Sequence, residues 1–282
     1  MSALVLAMLG ALAALFLTLL VVTASRCDEL HPHHEAIGLG AIGNFFDTLG
    51  MDFSAPTAAC LKFRNLAPDS YLPAVLSTGH SLPIVTQALV FIYSIWVEPT
   101  LLIACIAATV IGASIGRPLA AAISMRYVQP IVAMGLVLAA TLYVSMILDL
   151  LPSNEGNYGL AGAKFAIAVG SHLLLGALMS FGVGLYAPSL IALCLLGLNP
   201  AAALAVLMGA RAFVMPIDGM RHIRSLRNDL SVAIGLTIGG IPAVVLAANL
   251  VGSLPTTTLR WAVVVVALYA AAQLIGRAER KI

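Results

Sequence analysis

Charge is what this chain has least of. Only 9% of its 282 residues are Asp, Glu, Lys or Arg, against about 25% in a soluble domain. With 61% of the residues hydrophobic, a core of this size cannot hide the apolar surface, so a soluble globular protein is excluded. Aromatics are also scarce, at 6%, and Ala, Leu and Gly dominate. That composition suits helices packed on small residues and not a β-barrel, whose strands alternate polar and apolar. The four cysteines (Cys27, Cys60, Cys105, Cys194) stand singly, so no disulfide framework is expected. The net charge of +2 comes with no basic stripe to follow a phosphate backbone, so no nucleic-acid partner is expected. No HExxH or P-loop occurs, and no enzymatic activity is expected. The loop His31-Pro32-His33-His34-Glu35 matches no metal-ligand spacing, so neither metal nor cofactor is expected.

Long apolar runs are what the chain has instead. Residues 3–24 are continuously apolar without a basic start, which reads as a retained first span and not a signal peptide. A polar loop, Cys27 to Glu35, follows. Runs at 36–49, 54–63, 69–94, 100–123 and 128–150 lead to the polar stretch Pro152–Asn157. Further runs lie at 160–181, 185–197, 201–217, 229–251 and 258–276. Several reach the ~20 residues that a helical span requires.

Two interruptions match. Shifting the first half by 132 positions places Gly50 on Gly182, Ala55 on Ala187, Pro56 on Pro188 and Pro68 on Pro200. This reads as a duplicated unit. Lys and Arg mark the cytoplasmic side of a membrane protein. The loop with Lys62 and Arg64 is basic, whereas its counterpart Gly197–Pro200 is not. The charge has changed sides between the halves, which makes the repeats inverted, an architecture common in secondary transporters. The expected fold is an all-α integral membrane protein, a polytopic helical bundle of two inverted repeats with broken helices near the midplane. Residues 1–35 form an extra N-terminal helix and loop, 36–150 the first repeat, and 151–282 the second repeat and its charged tail. The C-terminus is expected in the cytoplasm.

Non-helical backbone at membrane depth survives only where it faces protein or a wet cavity. A helix starting after such a break aims free N–H groups and its positive end inward, which suits an anion. Gly50, Ser54, Thr57, Gly182, Gly184, Tyr186 and Ser189, with Asn44 and Thr48, are therefore candidates for binding a solute. Arg211 stands well inside its run. An arginine there costs about 2.5–3.5 kcal/mol on insertion scales, and gripping an oxyanion would justify it. The plainer readings are a pair with Asp218 or snorkelling to the interface. Asp47, Asp52 and His80 are candidates for carrying a coupling proton. The plainer reading pairs an aspartate with Lys62 or Arg64.

The stretches Ile42-Gly43-Asn44-Phe45-Phe46-Asp47-Thr48-Leu49-Gly50 and Phe53-Ser54-Ala55-Pro56-Thr57, the second Gly-x-Gly-x-x-x-Pro, and Ile111-Gly112-Ala113-Ser114-Ile115-Gly116-Arg117 carry a resemblance. Over about residues 36–276 the chain resembles the sulfite exporter TauE/SafE family of the toluene-sulfonate uptake permease superfamily. The resemblance implies a multi-pass carrier of the bacterial inner membrane for sulfite, sulfonates or related anions, linked to protons. The family's first break is usually richer in glycine. Here it reads Met51-Asp52-Phe53, which points to Asp52 as a proton carrier. A passive anion channel and a metal-dependent membrane enzyme using His31–Glu35 are the alternatives. A homodimer is one arrangement open to the chain.

Overall fold

The computed structural model describes residues 2–49, 53–122, 125–150, 156–225 and 228–279. Among them the chain is helical throughout, with a single β-bridge between Asn157 and Leu198. The helices are α1 (Ser2–Cys27), α2 (His34–Thr48), α3 (Ser54–Phe63), α4 (Leu72–Ser94), α5 (Pro99–Ala122), α6 (Met125–Ile147), α7 (Gly162–Met179), α8 (Tyr186–Leu195), α9 (Pro200–Arg224), α10 (Leu230–Gly252) and α11 (Thr256–Glu279). Eight of them are long and apolar enough to cross a membrane, and the chain is a polytopic all-α membrane protein. The run expected to end at 217 continues as helix to Arg224, so Asp218, Arg221 and Arg224 lie on its last turns and not in a loop.

Helix bounds recur along the chain. Moved by 132 positions, α3 lands on α8 residue for residue. Likewise α2 falls on α7, α4 on α9, α5 on α10 and α6 on α11, each within a few residues.

The described residues fall into two compact units. The first comprises residues 1–93 and 211–252, hence α1 to α4, the C-terminal part of α9, and α10. The second comprises 94–210 and 253–282, hence α5 to α8, the N-terminal part of α9, and α11. In the first unit α2 packs along α10, and in the second α7 packs along α5.

Glycine makes these two pairings close. On α10, Gly235 and Gly239 are four apart and lie one turn above the other on the face turned to α2. A Cβ on Gly239 would run into the Ile37 carbonyl, and one on Gly40 into the Leu236 backbone. Gly112 and Gly116 of α5 meet Leu173 and Ala177 of α7 in the same way.

Proline shapes α4. Pro83 has no N–H, so the carbonyl four residues back, at Gly79, loses its helical donor. Thr237 of α10 supplies one, donating to Gly79 O at 2.9 Å. A freed carbonyl in hydrocarbon needs such a partner. Around this pairing, Phe16, Leu20, Ala24, Leu82, Ile223 and Leu230 form one apolar cluster, and Ala36, Leu61, Val75, Val232 and Leu236 another.

Candidate functional site

A buried ion pair of the first unit lies at the C-terminal end of α2. The spacing of Gly40, Gly43, Asn44, Asp47 and Thr48 puts all five on one buried face. Phe45 and Phe46 turn to the other side, at intermediate exposure. Glycine at the first two positions lets α10 and α3 approach. Polar residues at the other three deliver hydrogen-bonding groups into the interior.

Arg211 of α9 meets this face. Its Nη1 donates to Asp47 Oδ2 at 3.0 Å and its Nη2 to Asp47 Oδ1 at 3.1 Å, a bidentate pair. The two side chains are 11% and 7% exposed, so water contributes little. The pairings weighed from the sequence are replaced: Lys62 binds Asp69 and Arg64 binds Glu35. Asp218 accepts from Ser77 Oγ at 3.0 Å and lies 3.4 Å from His222 Nε2.

Two side chains of α4 complete the arrangement. Gln87, fully buried, donates from Nε2 to Thr48 Oγ1 at 2.6 Å and to Asp47 Oδ2 at 3.4 Å. Thr48 donates its own hydroxyl hydrogen to Asn44 O at 2.7 Å. His80 places Nδ1 2.8 Å from Asn44 Oδ1. Asn44 uses its Nδ2 on Gly40 O, so Oδ1 is the acceptor and Nδ1 of His80 carries the hydrogen.

The first break ends α2 at Thr48 and restarts the chain as α3 at Ser54, with Phe53 as an N-cap that gives no side-chain hydrogen bond. Gly50 and Asp52, candidates for solute binding and proton coupling, lie outside the described residues. Thr57, in the first turn and a half of α3, is 1% exposed, and its Oγ1 has no hydrogen-bond partner among the described residues. It sits against Gly43: a Cβ there would lie 2.8 Å from Thr57 Oγ1 and 3.7 Å from His80 Cε1.

The second break is built differently. Gly182 takes φ +73°, a left-handed conformation that favours glycine, and its N–H bonds Met179 O at 3.1 Å. Gln129 of α6 donates to Phe181 O at 3.1 Å, supplying a donor for a carbonyl that the interrupted helix leaves free. In α8, Tyr186 and Ser189 are buried. Ser189 Oγ lies 2.9 Å from His172 Nε2, and His172 Nδ1 lies 2.9 Å from Ala168 O. The carbonyl can only accept, so Nδ1 carries the hydrogen. In the neutral ring Nε2 then accepts from Ser189.

Thr57 and Ser189 occupy corresponding positions, 132 apart. One hydroxyl is held by a histidine, while the other is buried without a partner among the described residues. The asymmetry extends to the charges. The counterpart of Asp47 is Met179, and that of Arg211 is Gly79. The frame is repeated, but the ion pair belongs to one unit.

The solute-binding candidates thus divide. Asn44, Thr48, Ser54, Thr57 and Arg211 fall in the first unit, and Gly182, Gly184, Tyr186 and Ser189 in the second. Asp47 and His80 join the first group. In the His31–Glu35 loop, Glu35 is engaged by Arg64 and the His31 carbonyl accepts from Ser231. Among the described residues no group of three or more His, Cys, Asp or Glu is placed to hold a metal ion. Sequence reasoning passed over Gln87, Gln129 and His172. A signal was there, since each is a strongly polar residue inside an apolar run. Compared with protein-family models, curated proteins and solved structures, the chain matches none.

Proposed function

We propose that this polytopic membrane protein is a secondary transporter that moves a sulfur-containing anion, sulfite or a sulfonate, together with a proton. The class of substrate rests on the resemblance of the Asn44–Gly50 and Phe53–Thr57 stretches to the sulfite exporter family. The reading places it in a bacterial inner membrane, its halves inverted and its C-terminus cytoplasmic. The swap of basic residues between equivalent loops supports that orientation.

The observation that carries the reading is the buried bidentate pair of Asp47 and Arg211. A carboxylate and an oxyanion compete for one guanidinium. With Asp47 ionised, the site is filled by the protein's own carboxylate. With Asp47 protonated, the pair loses its charge attraction, and the hydrogen bonds that Arg211 gives Asp47 can go to a solute anion instead. One proton therefore accompanies one anion. The unpartnered hydroxyl of Thr57 and the start of α3 offer donors for the remaining oxygens. His80 is a second group able to take up a proton.

Flux in proteoliposomes tests this. Wild-type protein is expected to accumulate sulfite or methanesulfonate when the outside is acidic. Arg211→Ala is expected to abolish that accumulation, and Asp47→Asn to leave a flux that no longer follows the pH gradient. Undiminished uptake by Arg211→Ala would remove the residue from the site. Wild-type flux indifferent to the gradient would point to a passive channel.

A further inference from the structure

We propose that Gln87 couples the proton to the anion by turning its amide over; the inference rests on the transport reading above. The orientation of the amide in this structure is dictated by its neighbours. Thr48 has given its hydroxyl hydrogen to Asn44 O and so can only accept from Gln87. An ionised Asp47 also only accepts. Nε2 must therefore face both. Oε1 is left on the other side of the amide, buried and without a partner among the described residues. A buried acceptor without a donor is unfavourable, so this state alone does not account for the choice of glutamine.

The protonated state does. Let one aqueous proton add to Asp47 Oδ2; an O–H bond forms and no other covalent bond breaks. The new hydroxyl needs an acceptor. A half-turn about the last side-chain bond brings Gln87 Oε1 to where Nε2 stood. Its two lone pairs accept one hydrogen from Asp47 and one from Thr48, whose hydroxyl swings away from Asn44 O. Nε2 now occupies the former place of Oε1. A lone pair that repels anions is replaced by two N–H donors. The same half-turn satisfies the proton and prepares the seat of the anion.

Among the described residues, which do not include Asp52, other charged and titratable groups near Asp47 are few. Arg211 faces it from α9, with Asp218 and His222 further along that helix. His80 stands on α4, tied to Asn44. The charges of α3, Lys62 and Arg64, are engaged by Asp69 and Glu35, and α10 carries no titratable side chain.

The test uses the full chain in lipid nanodiscs and methanesulfonate, which stays ionised over the whole pH range, so any pH dependence belongs to the protein. Wild-type affinity is expected to rise about tenfold per pH unit on acidification, the signature of one proton taken up per anion. Gln87→Met and Gln87→Leu keep the volume but remove both hydrogen-bonding ends. Both are expected to bind about 10- to 100-fold more weakly. Infrared difference spectra of wild-type protein should show, on anion binding, a hydrogen-bonded carboxylic C=O band that Asp47→Asn lacks. In the Gln87 variants that band should move to higher wavenumber. Wild-type affinity in either variant overturns the proposal, as does a wild-type band at the position of a free carboxyl. The infrared measurement decides even if neither variant folds. Should wild-type protein bind neither sulfite nor methanesulfonate, the transport reading itself fails. Binding that depends on Arg211 but not on Gln87 defeats only this inference.

Discussion

Arg211 and Asp47 are joined by two parallel hydrogen bonds across 164 residues of chain. The pair is buried in the unit that also holds His80, Gln87 and Thr57. Burial makes the pair valuable only while both members are present.

Removing one member should be costly. Arg211→Ala leaves a buried carboxylate and is expected to destabilise the protein by about 3–5 kcal/mol, as is Asp47→Ala by depriving the buried guanidinium of this carboxylate. The double variant should lose less than the sum, because it strands neither charge. Denaturation in mixed micelles measures all three. Strict additivity would contradict the pairing.

The two equivalent hydroxyls should behave oppositely. Ser189→Ala leaves His172 Nε2 without its donor and is expected to cost about 1–3 kcal/mol of stability. Anion affinity should not change, because that hydroxyl is already engaged. Thr57→Val removes a hydroxyl that has no partner among the described residues, so stability should hold while affinity falls. Melting temperature and methanesulfonate binding, taken on the same samples, separate the two effects.

Glycine at the helix contacts gives a third prediction. Gly239→Ala and Gly112→Ala place a methyl group into a facing backbone and should cost about 1–3 kcal/mol or more. Gly38→Ala meets nothing and should gain about 0.5–1 kcal/mol through lower chain entropy. Thermal melts of the three variants, in one detergent, read the order directly.

The tether between α2 and α3 should respond to acid. The Arg64 guanidinium, hydrogen-bonded to Glu35, holds its carboxyl below the ordinary range. A carboxylate lowered in this way contributes stability that is present above its unfolded pKa and is lost as pH falls through the folded one. Amide exchange near Cys60–Arg64 should therefore quicken in acid relative to the rest of the chain. Glu35→Gln should show the same quickening at neutral pH, with no further effect of acid on this tether.

Long helices were the most legible feature, because an apolar run of ~20 residues is itself the signal of a span, although α9 runs past its expected end at 217. The short helices α3 and α8 were also found, since the two breaks announce them. Partners were harder. Asp47 and Arg211 each stood out as a charge in an apolar run, yet the only partners weighed for them were near in sequence: Lys62 or Arg64 for an aspartate, Asp218 for the arginine. Which charges meet depends on how α2, α9 and α10 pack, and hydropathy carries no such information. Gln87 and His172 were missed for a related reason. Amides and imidazoles in apolar runs look alike until their donors and acceptors are placed.

The distance along the chain between Asp47 and Arg211 also has a consequence for biosynthesis. A ribosome adds about 5–20 residues per second, so about 8–33 s separate the two residues during translation. For that interval the aspartate has emerged without its countercharge, and α10, against which α2 packs, is later still. The N-terminal third of the protein must wait, half-assembled, for the other end of its own chain.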